Sequence, residues 1–271
     1  MFLSPGQSQD KQTTIARPFS LEGIGIHSGR PSRITVRPAA ASAGIFFSNN
    51  GQTVQALIGN VSKTDRGTTL GKVAVVEHFL AAAYVLGVDN LAVDIEGEEL
   101  PILDGSALPF VIALENAGFV ALNEAKQPLI LSKRLVVSAG EASIEALPFN
   151  GFKIDFMIKF KSLEEQSYSI IIDGNSFKEE IAPARTFGFA EEFDQLLARG
   201  LGQGASAENA LILSKNGTQN VLRFDNEPVR HKILDLIGDL ALLGRPIKGY
   251  FKANRAGHAL NAQLVQAILS V

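Results

Sequence analysis

The chain contains only four histidines, and the placement of three of them near acidic residues is typical of an enzyme that uses a metal ion for acid/base chemistry. His231 and Asp235 are four residues apart in a predicted helix, so both side chains project from one face of it. An imidazole nitrogen and a carboxylate oxygen placed in this way can share one divalent cation. A lone His-x-x-x-Asp more often marks a solvated or mutually paired His and Asp, so a third ligand is needed.

His78 is the candidate third ligand, because an internal resemblance makes its helix the counterpart of the helix that carries His231. Two histidines and one carboxylate, with a fourth position left open, form a recurrent catalytic zinc site. Glu77 is adjacent to His78 and points about 100° away from it on a helix. It is therefore better placed as a general base than as a ligand of the same metal. The alternatives are that His78 is a core or cap histidine and that Glu77 is an exposed charge on the helix.

His258 follows Gly257 at the predicted start of another helix. Asp239 lies one helical turn beyond Asp235, where it could hold His258 in one tautomer and keep its proton available. This pairing of a carboxylate with an imidazole predicts a catalytic proton donor. A simple helix-entry histidine explains the position of His258 equally well.

Two further features are candidates for contacts with a substrate. Lys232, beside His231, is most simply a solvated cation, but it could meet an anionic group. In the segment 183–189, the hydroxyl of Thr186 could donate to a developing oxyanion, and the neighbouring aromatic side chains offer an apolar wall. Without that context the segment is a turn.

Composition excludes several classes of protein. The chain has no cysteine, which removes disulfides, thiolate metal sites and cysteine nucleophiles. Its net charge is -3 and no Lys/Arg cluster suits nucleic-acid phosphates. No stretch offers the roughly 20 uninterrupted apolar residues of a membrane helix, and residues 1–11 lack a signal-peptide pattern. We therefore expect a cytoplasmic protein whose residues 1–11 form a flexible N-terminal segment.

The elements that must position these residues follow the same order in the two halves of the chain. In each half, a strand with alternating apolar residues precedes a predicted helix, strand and helix. In the first half these are residues 32–38, 75–86, 90–95 and 106–117, and in the second half 152–160, 228–243, 247–254 and 258–269. Short sequence echoes accompany this order, since Val76-Glu77-His78 matches Val229-Arg230-His231.

We therefore predict an α+β fold of two similar two-layer domains, each a sheet covered by a pair of helices. The pseudo-duplicated domains are residues 12–124 and 125–271, the second with an insert near 186–219. The active site is expected between them, because domain interfaces are favoured places for clefts.

Longer motifs in the right order resemble those of the UDP-3-O-acyl-N-acetylglucosamine deacetylases, the zinc amidases of lipid A biosynthesis. The resemblance runs from about Lys11 to the C-terminus. Its motifs are Gly23-Ile24-Gly25-Ile26-His27-Ser28-Gly29, Val76-Glu77-His78, Pro101-Ile102-Leu103-Asp104-Gly105-Ser106, Ala184-Arg185-Thr186-Phe187-Gly188, Arg230-His231-Lys232 through Gly238-Asp239, and Gly257-His258-Ala259-Leu260-Asn261. The family fold has two α+β domains with the site between them, which agrees with the duplication described above.

The resemblance implies a role for each candidate residue. The implied metal ligands are His78, His231 and Asp235; the implied acid/base groups are Glu77 as general base and His258 as general acid, oriented by Asp239. Thr186 would assist the oxyanion, Lys232 would contact the substrate, and Phe187 would line the passage for the acyl chain. The implied cofactor is Zn²⁺, although Fe²⁺ also suits nitrogen and oxygen ligands.

The implied reaction is hydrolysis of the N-acetyl group of UDP-3-O-(3-hydroxyacyl)-N-acetylglucosamine, which releases acetate in the committed step of lipid A biosynthesis. We expect a monomer that acts on this small-molecule UDP-linked acyl amino sugar and binds no nucleic acid. Two alternatives stay open: a metal-dependent amidase for another N-acetyl sugar, and a non-catalytic module that binds a nucleotide sugar or a lipid. His27 marks the family motif, but the sequence gives its imidazole no chemical task.

Overall fold

The protein, as a computed structural model, is described over residues 10–218 and 220–271. Its strands are β1 Lys11–Ile15, β2 Phe19–Ile24, β3 Pro31–Pro38, β4 Ile45–Asn49, β5 Gln52–Gln55, β6 Val61–Lys63, β7 Thr69–Leu70, β8 Leu91–Glu96, β9 Phe119–Ala125, β10 Leu129–Ile130, β11 Leu135–Ala139, β12 Ala142–Leu147, β13 Phe152–Phe160, β14 Leu163–Ile171, β15 Phe187–Phe189, β16 Leu211–Ser214, β17 Gly217–Thr218 and β18 Ile247–Asn254. Its helices are α1 Glu77–Val85, α2 Leu108–Ala117, α3 Gly174–Ser176, α4 Phe193–Ala198, α5 Glu227–Leu240 and α6 His258–Leu269.

The two main sheets share one topology. The first has the strand order β2-β3-β8-β4-β5, and the main path of the second is β11-β12-β18-β13-β14. In each sheet the third and fourth strands along this order are parallel, and the other neighbours are antiparallel. The predicted α+β class is confirmed, and the repeated order of elements in the sequence corresponds to a repeated order of strands.

Alternating burial along the strands follows the pattern that the sequence predicts. In β13, Ile154, Phe156 and Ile158 are buried, while the residues between them are partly exposed. In β3, Ile34 and Val36 are fully buried and face the same side. Because successive side chains of a strand point to opposite faces, each sheet offers one apolar face for helices to cover.

The helices pack between the apolar faces of the sheets, and α1 and α5 lie against each other at the centre. Gly238 of α5 permits this close approach, because a Cβ atom there would lie 2.2 Å from the carbonyl oxygen of Glu77 in α1. α2 packs on α1 and α6 packs on α5. One continuous apolar core therefore runs through both halves of the chain and fixes α1 relative to α5.

The observed elements agree with the predicted ones except at their ends. The predicted helix 228–243 is α-helical over Glu227–Leu240 and closes with a 3-10 turn at Ala241–Leu243. The predicted N-terminal segment lies mainly outside the described residues, but Lys11 already begins β1, which pairs with β9. The small sheet β15-β16-β17 lies within the predicted insert, and the domain boundaries stay a prediction. Among the described residues, no helix is both long and apolar enough to cross a membrane.

Candidate active site

Three buried side chains meet where the first turn of α1 faces the middle of α5. His78 comes from α1, and His231 and Asp235 come from α5. The Oδ1 atom of Asp235 lies 3.3 Å from Nε2 of His231 and 3.8 Å from Nε2 of His78. One nitrogen or oxygen atom from each residue lies within 4.8 Å of the others. The three predicted metal ligands therefore lie together.

The protonation and bonding of this group fit a divalent cation. Oδ1 of Asp235 is buried without a hydrogen-bond partner, which is costly unless another group satisfies it. Nδ1 of His231 lies 3.0 Å from the carbonyl oxygen of Ala184 and must donate to it, so Nε2 keeps a free lone pair. Burial and the neighbouring His231 lower the pKa of His78 to about 3, and burial also lowers the pKa of His231. Two neutral imidazoles beside a carboxylate are an established donor set for zinc.

Lys232 lies closer to the metal-ligand group than the sequence suggests. Its Nζ atom donates to Oδ2 of Asp235 at 2.5 Å. Burial opposes ionisation of Asp235, but Lys232 and His231 together hold the pKa of this carboxyl well below its usual range. In this structure Lys232 is thus a partner of Asp235, on the wall of the cleft.

Glu77 lies beside this group with its carboxylate almost completely buried. Its Oε2 atom accepts a hydrogen bond of 3.0 Å from the backbone N–H of Thr68, and its Oε1 atom lies 4.0 Å from Nε2 of His258. Burial raises the pKa of Glu77 to about 7, although His258 pulls it in the opposite direction. A carboxyl group that exchanges its proton near neutral pH has the acidity that a general base needs.

His258 and Asp239 form a hydrogen-bonded pair on the other side of the cleft. Nδ1 of His258 donates to Oδ2 of Asp239 at 2.8 Å. Burial lowers the pKa of His258, but the carboxylates of Asp239 and Asp235 outweigh this effect and raise it to about 9. The imidazole is therefore cationic at neutral pH, and Nε2, on the side of Glu77 and Asp235, carries a proton that it can give away.

A cleft of about 420 Å³ is lined by all of these groups except Asp239, which is buried behind His258, and it continues into a more apolar passage of about 270 Å³. Thr186 and Phe187 line both spaces. The ring of Phe187 lies 6.2 Å from the ring of His231 and packs edge-on against Phe160 and Phe189. The passage thus begins directly beside the histidine and acid cluster.

Two site residues, Thr68 and Asn261, were not predicted as such from the sequence. Oγ1 of Thr68 donates to Oδ1 of Asp239 at 2.5 Å, and Nδ2 of Asn261 donates to Oδ2 at 2.8 Å. Asn261 had a weak signal, because it lies one turn after His258 in a predicted helix. Thr68 had none, since it is 171 residues from its partner.

His27, to which no task could be assigned from the sequence, lies at the rim of both spaces. Its Nε2 atom lies 3.0 Å from the carbonyl oxygen of Arg66, and its backbone N–H donates to the carboxylate of Glu99. The carbonyl of His27 accepts from the N–H of Gln203, in the segment after α4. The turn of His27 therefore joins the loop before β7 to the second-half insert.

Comparison with known proteins gives one consistent result. The model of the family "UDP-3-O-acyl N-acetylglycosamine deacetylase" matches residues 12–270. A UDP-3-O-acyl-N-acetylglucosamine deacetylase of Geotalea uraniireducens is 41% identical over 271 residues, which cover 96% of this chain and 88% of the relative. Proteins of the same description from Leptospira biflexa and Campylobacter hominis are 39% and 38% identical, covering 95% and 96% of this chain and 89% and 92% of their own lengths.

Proposed function

The chain belongs to the UDP-3-O-acyl N-acetylglycosamine deacetylase family, and from this we propose that it removes the N-acetyl group of UDP-3-O-(3-hydroxyacyl)-N-acetylglucosamine in the committed step of lipid A biosynthesis. The observation that carries the proposal is the meeting of a His-His-Asp group, a carboxyl with a raised pKa and a cationic histidine in one cleft. The apolar passage beside the cleft supports an acylated substrate.

The enzyme is metal-dependent, and we propose Zn²⁺ as its metal, with His78, His231 and Asp235 as ligands. The buried Oδ1 of Asp235 and the hydrogen bond from His231 to Ala184 support this assignment. When bound, the cation would polarise the acetamide carbonyl and favour the ionised form of water. Fe²⁺ is the alternative metal for the same nitrogen and oxygen donors.

Glu77 and His258 carry the proton transfers in this proposal. Glu77 takes a proton from the attacking water as the oxygen of that water bonds to the acetyl carbon. His258 gives its Nε2 proton to the amide nitrogen as the C–N bond breaks, so that acetate and a free amine leave. Asp239 holds Nδ1 of His258 and stabilises the cationic ring before the transfer.

The remaining predicted residues position the substrate. Thr186 lies on the cleft wall, where its hydroxyl can donate to the oxygen that becomes negative during attack. Phe187 stands at the start of the apolar passage and is proposed to contact the acyl chain. Lys232 keeps its proposed contact with the substrate, made from a position beside Asp235. A monomeric state, a cytoplasmic location and the absence of nucleic-acid partners stay predictions.

Acetate release from matched substrates tests the function. The metal-loaded protein should release acetate from the 3-O-acylated UDP-N-acetylglucosamine far faster than from UDP-N-acetylglucosamine itself. Equal rates would favour an amidase for another N-acetyl sugar. If no candidate substrate releases acetate while the metal is bound stoichiometrically, the protein is a non-catalytic binding module.

A further inference from the structure

Thr68 contacts both halves of the acid/base machinery, although it bears no ionisable group. It lies in the loop just before β7, is only 1% exposed, and belongs to the first half of the chain. Its backbone N–H donates to Oε2 of Glu77 at 3.0 Å, and its hydroxyl donates to Oδ1 of Asp239 at 2.5 Å. One residue thus contacts the proposed base through its backbone and the carboxylate partner of the proposed acid through its side chain.

The hydroxyl completes the set of donors around Asp239. Oδ2 of this carboxylate already accepts from His258 and from Asn261, each at 2.8 Å. Without Thr68, Oδ1 would be buried with one donor fewer, and the carboxylate could rotate about its terminal bond. Such a rotation would move Oδ2 away from Nδ1 of His258. Because Oγ1 of Thr68 also lies 3.3 Å from Nδ1 of His258, the side chain of Thr68 limits the position of the imidazole as well.

The loop that carries Thr68 is itself held in place from the other side. Arg66 and Gly67 have left-handed backbone conformations, with φ values of 58° and 155°. His27 contacts the carbonyl oxygen of Arg66, and the guanidinium of Arg66 pairs with Glu192 of the insert at 2.8 Å. Thr68 is therefore held in a fixed position behind the cleft wall by the contacts of its loop.

From these contacts we infer that Thr68 is a positioning residue, whose hydroxyl sets the orientation of Asp239 and, through it, the proton-donating imidazole of His258. Its backbone N–H holds Glu77 at the same time, so the base and the acid are aligned by one residue. This inference rests on the proposed function, because it assigns Thr68 to the same proton-transfer step.

Thr68→Val is the test, because it replaces the hydroxyl with a methyl group of similar size and keeps the backbone N–H. We expect kcat for acetate release to fall about 10- to 100-fold, as for other groups that orient catalytic ligands, with KM and metal content unchanged. Thr68→Ser restores the hydroxyl and should return kcat to within about 3-fold of the original. Thr69→Val, at the next residue, is the control, because it makes the same exchange of a hydroxyl for a methyl group in the same strand region.

Two measurements separate positioning from packing. In an Asp239→Asn background, adding Thr68→Val should lower kcat by less than about 2-fold, since the hydroxyl acts through Asp239. With ¹⁵N-labelled histidine, the four rings give only eight side-chain nitrogen signals, two for each histidine. The Nδ1 signal of His258 should shift in metal-loaded Thr68→Val, while the signals of His78 and His231 stay in place.

Three outcomes overturn the inference: an unchanged kcat in Thr68→Val, a loss in Thr68→Ser as large as in Thr68→Val, or full additivity with Asp239→Asn. If Thr68→Val does not fold, Thr68→Ser is the test. It retains the hydroxyl, so a shifted Nδ1 signal of His258 in this variant contradicts the assigned role, and an unchanged signal supports it. If the unaltered protein releases no acetate, the proposed function fails, whereas the histidine signals still report whether Thr68 orients His258.

Discussion

Gly238→Ala is predicted to damage the active site through the packing of two helices, without altering any reacting group. A Cβ atom at Gly238 would lie 2.2 Å from the carbonyl oxygen of Glu77, 2.8 Å from its carbonyl carbon and 2.9 Å from its Cα. These are backbone atoms of α1, so no side-chain rotation can relieve the contact. Because non-bonded heavy atoms settle about 3.5 Å apart, α1 and α5 must separate locally by about 1 Å.

That displacement acts directly on the proposed metal site, since His78 is on α1 whereas His231 and Asp235 are on α5. Metal–ligand distances tolerate deviations of only about 0.2 Å, and a misplacement of 1 Å can cost about 100-fold in rate. We therefore expect kcat/KM to fall about 100-fold and metal affinity to weaken.

The change in the free energy of unfolding caused by Gly238→Ala shows whether helix propensity or overpacking dominates. Alanine has the higher helix propensity, which alone would stabilise α5 by about 1 kcal/mol. Overpacking in a dense core costs about 1 to 3 kcal/mol, so the net free energy of unfolding should fall by about 1 kcal/mol. Urea denaturation, metal titration and acetate release measure the three effects. Gly174→Ala is the matched control, because Gly174 begins α3 and a Cβ there meets nothing within 4 Å. A Gly238→Ala protein with higher stability and full activity would refute the reasoning.

The other predictions concern the metal, the pH profile and a buried ion pair. His231→Ala should lose metal, whereas Glu77→Gln should keep metal and lose turnover; elemental analysis beside acetate release checks both, and full metal occupancy in His231→Ala would remove it from the ligand set. The profile of kcat/KM against pH should be bell-shaped, rising as Glu77 ionises at or below pH 7 and falling as His258 loses its proton at or below pH 9, because a bound cation favours the carboxylate and disfavours the imidazolium. A flat acidic limb would count against Glu77 as the base. Glu227 is fully buried and accepts hydrogen bonds from Arg185, which hold its pKa below the usual range although burial opposes this. Its contribution is therefore present above the unfolded pKa of 4.5 and is lost as pH falls. Glu227→Gln should cost about 3 kcal/mol at neutral pH by leaving Arg185 buried and poorly paired, and the difference from the unaltered protein should shrink in acid. A pH-independent difference in unfolding free energy would contradict the ionic role.

Local patterns were enough to predict the elements that carry the site. The alternation in β13 and the helix at His258–Leu269 could be predicted because their burial follows their own sequence period. The pairing of β1 with β9 could not, since strand partners that are over a hundred residues apart leave no local pattern. The early end of α5 also depends on context, because Ala241–Leu243 are apolar and suited to either helix type.

The candidate site divides in the same way. Residues with ionisable side chains at helical spacing could be proposed from the sequence, and the structure brings them into one cleft, while their roles stay predictions. Thr68 could not be proposed, because the only sign of its role is its contacts with Glu77 and Asp239, which come from two different helices. The pairing of Lys232 with Asp235 follows from their i,i+3 spacing in the predicted helix, although Lys232 was interpreted from the sequence as a solvated cation or a substrate contact.

The two main sheets have the same topology, and α1 and α5 pack against each other where the two halves meet. The cleft at this junction has the proposed general base on one side and the proposed general acid on the other. The sequence comparison pairs His78 of α1 with His231 of α5, and the two rings lie 4.9 Å apart. The carboxylates do not match: four and eight residues after His78 stand Ala82, in α1, and Leu86, directly after it, whereas α5 has Asp235 and Asp239 after His231. Carboxylates on both helices would bury two further negative charges beside Glu77, at a large desolvation cost. With apolar residues at these positions, α1 supplies the proposed base, and α5 supplies the carboxylates proposed for the metal and for the acid.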